Sequence, residues 1–128
     1  MLSKLSILLI CLSSFVTAHE MTPAYPELKP SHVKGVVKAQ MSLFNQREDV
    51  KYYMIEVFDK NFISMPFSSP YRIMQVDYKE RKNFVVYLRK SDLIRAVYIC
   101  TTSKVIKQRS SKPVISSRIC SRIDGGTA

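Results

Sequence analysis

The clearest periodic stretch of the chain is Val36 to Phe44, VVKAQMSLF, in which Val37, Ala39, Met41 and Leu43 alternate with Lys38, Gln40 and Ser42. A period of two places the apolar side chains on one face of an extended strand and the polar ones on the other, so the stretch predicts a half-buried β-strand. Beyond a polar turn at Asn45–Asp49, the run KYYMIEVFD from Lys51 to Asp59 is rich in aromatic and β-branched residues and predicts a second strand. Tyr53, Ile55 and Val57 share one of its faces; Tyr52, Met54, Glu56 and Phe58 share the other, which is expected to be partly exposed. Lys60-Asn61 marks a turn, and Phe62 to Tyr71, with Pro66 and Pro70, reads as irregular. Arg72 to Tyr78 predicts a short strand in which Ile73 and Met74 compete for the core side. Lys79 to Asn83 reads as a charged turn and Phe84 to Arg89, FVVYLR, as a strong strand. Arg89 to Ile94 reads as a bend or one helical turn capped by Ser91 or Asp92.

Two apolar runs close the chain, AVYIC at Ala96–Cys100 and VISSRICSRI at Val114–Ile123, separated by a basic, Ser/Thr-rich connection. About seven short strands with turns roughly every 8–12 residues predict an all-β sandwich. Residues 36–123 would form this single domain. Residues 19–35 hold Pro23, Pro26 and Pro30, and because proline lacks a backbone donor this part reads as an extended arm or edge strand. Residues 124–128 read as a disordered tail.

The first eighteen residues change the picture. Lys4 supplies a positive start, Leu5 to Val16 a short apolar core, and Val16-Thr17-Ala18 small residues where a signal peptidase cuts. Residues 1–18 are therefore expected to be a signal peptide cleaved after Ala18, and the protein to be periplasmic or secreted. Cys11 leaves with that segment. The remaining Cys100 and Cys120, in an oxidising compartment, are expected to form a disulfide. Of the formal net charge of +10, Lys4 contributes one, which leaves +9 on the mature chain. The excess gathers at the carboxyl end, where Lys104, Lys107, Arg109, Lys112, Arg118 and Arg122 face only Asp124. This balance points to an acidic partner, either another envelope or secreted protein or an anionic lipid or surface polymer. Export argues against nucleic acid.

No catalytic constellation can be assembled. The acids sit mostly in turns beside Lys or Arg, the serines lack a His–Asp set, and the chain carries no HExxH, no CxxC and no glycine-rich phosphate loop. His19, as a new amino-terminal residue, could chelate a metal through its amine and imidazole, but no second histidine cluster supports a metal site. Neither a metal nor any other cofactor is expected, and the protein reads as a non-enzyme. Tyr52, Tyr53, Phe58, Phe62 and Phe67 read as core aromatics before they read as a ligand platform.

Ala96-Val-Tyr98-Ile-Cys100 is similar to the A-x-Y-x-C of immunoglobulin-type domains, in which the tyrosine hydroxyl bonds back to the backbone. The partner cysteine and the tryptophan of that family are absent from the second and third strands. The order of segments resembles the amino-terminal domain of periplasmic pilus-assembly chaperones: a proline-rich first strand, a turn ending at Gly35, an alternating strand, YYMIEVFD, a proline-containing crossover SSPYRIMQV, FVVYLR and a last hairpin. That resemblance implies an immunoglobulin-like sandwich whose final strand, Val114 to Ile123, adds to an extended segment of a client. It also implies a carboxylate grip between Lys29 on the first strand and Arg118 on the last. The family's second domain is missing. More loosely, TPAYPELKPSHVKGV and LFNQREDVKYY are similar to short exported proteins of tailed phages. Intact-mass measurement of the exported protein should find a chain starting at His19 that gains two hydrogens on reduction. A chain still carrying Met1 to Ala18, or a mass unchanged by reductant, contradicts the leader or the disulfide respectively.

Overall fold

A computed structural model describes residues 18–105 and 116–123. Within them lie strands β1 (Glu20–Thr22), β2 (Lys29–Pro30), β3 (Val36–Phe44), β4 (Tyr52–Asp59), β5 (Ile73–Gln75), β6 (Arg81–Arg89), β7 (Ala96–Lys104) and β8 (Arg118–Arg122). They form two antiparallel sheets of four strands each. In the first sheet β6 pairs with the whole of β3, from Arg89 opposite Val36 to Arg81 opposite Phe44. The other edge of β3 is left for β1 and β2, which pair with its end and its beginning. The second sheet runs β5-β4-β7-β8.

The alternation of β3 sets the register. Val37, Ala39 and Met41 stand opposite Leu88, Val86 and Phe84, and all six are buried. A slip of one residue would turn this set to solvent, so burial specifies the pairing. Tyr53, Ile55 and Val57 on β4, with Ile99 on β7 and Met74 on β5, belong to the same buried cluster. Removing such apolar surface from water, at roughly 25 cal/mol per Å², is the main drive for closing the two sheets on each other.

Three local expectations need correction, and one open choice is decided. β6 begins at Arg81, where a charged turn was expected to run on to Asn83. Lys79, at φ 60°, completes the reversal early, and β3, reaching Phe44, offers partners to Arg81 and Lys82. β7 does not stop at Cys100 but continues to Lys104, because β4 begins at Tyr52 and pairs with that residue. In the short β5, Met74 takes the core position at 0% exposure and Ile73 is left 47% exposed. The helical turn is a 3-10 turn at Lys90–Asp92 with no side-chain cap; Asp92 lies inside it and pairs with Arg89 at 3.0 Å. The cysteine expectation holds, with Cys100 and Cys120 joined across β7 and β8. The Tyr98 ring stacks on Phe62, with ring centres 4.7 Å apart.

Ile55 is 1% exposed and Val37 6%. Ile55→Asp or Val37→Lys buries an unpaired charge at a cost of about 4 kcal/mol or more, a large share of a typical domain's stability. Both variants should lose the cooperative thermal transition. Lys38→Glu, on the outer face, should keep the midpoint within the range of a change of about 0.5 kcal/mol.

Candidate functional site

The site expected from sequence lay on the last hairpin, and its geometry follows from which backbone groups β8 gives to β7. Ser103 N–H donates to Ser117 C=O at 2.9 Å and Ile123 N–H to Val97 C=O at 2.7 Å. Residues 117, 119, 121 and 123 thus face β7 with their backbone, and Arg118, Cys120 and Arg122 face away from it. The cysteines fall at a non-hydrogen-bonded pair, where opposed side chains come closest; their Cα atoms are 4.1 Å apart.

The outward backbone of β8 is hydrogen-bonded at one end only, although β1 runs close beside the strand. Ala24 C=O accepts from Arg122 N–H at 2.9 Å, and Ser121 Oγ donates to Pro23 C=O at 2.6 Å. Toward Arg118 and Cys120 the outward groups have no partner among the described residues. A second unpartnered stretch lies on β6 from Arg81 to Val85, but it ends where Ser68 pairs with Tyr87, at 2.7 and 3.0 Å. The edge of β5 is blunted by Lys82, whose ammonium donates to Gln75 C=O at 2.9 Å.

Side chains beside the β8 edge are cationic and aromatic. Arg118 Nε donates to Thr102 Oγ1 at 3.3 Å, and its guanidinium lies 5.0 Å from the centre of the Phe58 ring. Arg122 stands opposite Tyr98, and Lys104 is the exposed last residue of β7. Phe62, held at φ 58° by a turn in which Asp59 Oδ1 accepts from the Asn61 and Ile63 amides, lays its ring on Tyr98. Glu56, opposite Cys100, is the acid on this face.

Of the expected site residues, Lys104, Arg118 and Arg122 come together on the outer face of the second sheet. Lys29 does not join them. It lies opposite Lys38 on the outer face of the other sheet, so Lys29 and Arg118 point away from each other and form no common carboxylate grip. Lys107, Arg109 and Lys112 lie outside the described residues. A cleft of about 240 Å³ lies elsewhere, between Pro66–Ser68 and the Tyr87–Arg89 end of β6. Its lining is mostly apolar.

Sequence reasoning missed a buried polar cluster beneath the hairpin. His19 is 1% exposed. Its Nε2–H points to Thr101, 2.9 Å from Oγ1 and 3.2 Å from the carbonyl, and its Nδ1 is 3.2 Å from Ser117 Oγ. The Ser117 hydroxyl can donate to Nδ1 while accepting from Arg47 Nη1 at 3.4 Å. Arg47 in turn forks onto Asp49 at 2.9 and 2.6 Å. Tyr53, whose ring lies 4.6 Å from that of His19, donates its hydroxyl to Asn45 Oδ1 at 2.6 Å. Both imidazole nitrogens are therefore engaged by the protein. Asn45, Arg47 and Asp49 had read as an ordinary solvated turn.

No family model matches the chain, and neither a curated protein nor a solved structure matches it.

Burial, with help from the positive Arg47, lowers the His19 pKa from 6.5 to about 4, against the opposing hydrogen bond to Thr101. The fold thus favours neutral imidazole, and the sign follows by linkage. The contribution is full above pH 6.5 and is lost as the pH falls through the window from 6.5 to 4. Thermal midpoints should fall across that window in the parent and fall less in His19→Gln; equal slopes would contradict the assignment.

Proposed function

We propose that this chain is an exported, non-enzymatic binding module. It engages an extended segment of another envelope protein by β-strand addition along the outer edge of β8. The observation that carries this reading is the unpartnered backbone of Arg118 and Cys120, held in register by the disulfide and flanked by Arg118, Arg122 and Lys104. Strand addition needs such an edge, because main-chain hydrogen bonds supply the affinity and alternate side chains the selectivity. The strand order, with β3 beside β6 and β4 between β5 and β7, supports an immunoglobulin-like, chaperone-like version of the sandwich. The disulfide fits an oxidising compartment, as the proposed leader requires.

A second copy of the chain is a restricted occupant. Antiparallel pairing of two β8 edges about Arg118 sets the two copies' Arg118 residues opposite each other, and pairing about Cys120 sets Arg118 opposite Arg122, so only pairing about Ile119, with Arg118 opposite Cys120, escapes a like-charge clash. Like charges directly opposed disfavour a sheet pair. The alternative reading is charge-driven binding to anionic lipid or cell-surface polymer. What favours it is that cations face outward from both sheets, Lys29 and Lys38 on one and Lys104, Arg118 and Arg122 on the other.

Proline separates these readings. Arg118→Pro deletes a donor that points away from β7, and Val85→Pro does the same on the open stretch of β6. In capture from envelope extract, Arg118→Pro should abolish recovery of the partner while Val85→Pro leaves it intact. The reverse result places the seat on β6. Binding that survives both prolines but collapses between low and high salt selects the electrostatic alternative.

A further inference from the structure

The path of the amino-terminal arm narrows what the β8 edge can accept. Thr22 pairs with Ser42 and Lys29 with Lys38, so residues 23–28 must bridge a shorter length of β3 than their own. The excess is carried across to the other sheet, where Pro23 and Ala24 meet Ser121 and Arg122. This crossing is pinned at both ends on β3, by β1 and β2, and between them by buried Pro26. Pro23 and Pro26 have no amide to offer, so the crossing accepts the Arg122 donor without continuing a ladder. It is a stop placed at one end of the edge.

We infer that the β8 edge takes a short acidic strand in one register, with its last paired residue opposite Cys120 and a carboxylate side chain beside Arg118. This rests on the strand-addition reading and specifies its partner. An added residue opposite Arg118 would exchange both backbone hydrogen bonds with it and project its side chain on the same outer face, in the row Met54, Thr102, Arg118. That row ends in Arg118, an exposed cation whose guanidinium lies over Phe58 and would turn outward to meet an acid on the added strand. In the next row, Glu56, Cys100 and Cys120, the disulfide separates the acid from the incoming strand. An acid opposite Arg118 gains a cross-strand ion pair, and a base there meets repulsion.

The test uses the full chain with a strand tethered to its carboxyl end, since a flexible linker raises the effective concentration enough to populate weak pairing. The strand is about seven residues of alternating Thr and Val, a usual strand length, with Glu, Lys or Ser at its central outward position. Amide hydrogen exchange at Arg118 and Cys120 is read against the untethered protein. Glu should slow both amides about tenfold more than Lys, with Ser between, as expected where an opposite charge replaces a like one. Arg118→Glu should invert that order. Exchange at Arg122 should stay unchanged throughout. Equal protection by Glu and Lys would overturn the acidic register while leaving strand addition standing. A change at Arg122 would show the arm displaced and remove the stop. Protection by none of the three strands would take down the inference and the strand-addition reading together.

Discussion

The pairing of Cys100 with Cys120 is the constraint on which the site depends. A covalent link at a non-hydrogen-bonded position fixes β8 on β7 in one register, and that register decides which backbone groups point outward. Had β8 slipped by one residue, Ile119 and Ser121 would present their amides to the edge and Arg118 would turn its side chain inward. The link also holds a strand that the hydrophobic effect alone would hold poorly. β8 reads RICSR, with one strongly apolar side chain, and closure of the loop between residues 100 and 120 is worth roughly 3 kcal/mol by loop-closure entropy. A polar strand can thus lie at the edge of the sheet without depending on burial to stay there.

The central strands were legible because their chemistry repeats. β3 and β4 alternate, and the alternation fixes face and partner at once. Where the pattern was short or degenerate, the sequence left the choice open. Ile73 and Met74 are equally apolar, and only the position of Tyr53 opposite Met74 decides which is buried. The extent of β6 and β7 was unreadable for the same reason: Arg81 and Lys82 carry no strand signal of their own, and that of Thr101 and Thr102 is blurred by the Ser/Lys-rich connection that follows. They are extended because β3 and β4 are long enough to pair with them. The grouping of Lys104, Arg118 and Arg122 followed from the predicted hairpin. The separation of Lys29 did not, because it depends on which sheet receives the arm.

The cluster around His19 was invisible for a different reason. Asn45, Arg47 and Asp49 have the composition of a solvated turn, and nothing local marks them as buried. Asp49 does stay exposed, but Asn45 is enclosed by Val50, Val76 and Tyr53, and Arg47 is buried against Ser117 beside the arm's His19. Each polar atom brought inside finds a partner: no buried side-chain donor or acceptor among the described residues lacks one. That completeness matters, since a buried polar group left unpaired costs about 1–3 kcal/mol, and a half-satisfied cluster would be worse than an apolar one. Tyr53 shows the coupling. Desolvation drives its pKa up to about 12, so its phenol remains a neutral donor to Asn45 wherever the domain is folded near neutral pH.

The arm therefore has two effects that pull in opposite directions on the hairpin. Through His19 it reaches Thr101 and Ser117 and steadies the start of β8 from below. Through Pro23 and Ala24 it covers the end of β8 and shortens the edge. A bare edge as long as β8 would be a template for indiscriminate pairing, and exposed edges are commonly blunted by proline and by charge. Here the proline-bearing crossing blunts one end and the arginines charge what remains. The backbone groups left over are few, so main-chain bonds alone cannot discriminate among partners. Selectivity must then come from the side chains beside them, above all from Arg118, whose guanidinium rests inward on Thr102 and Phe58 until a partner draws it to the edge.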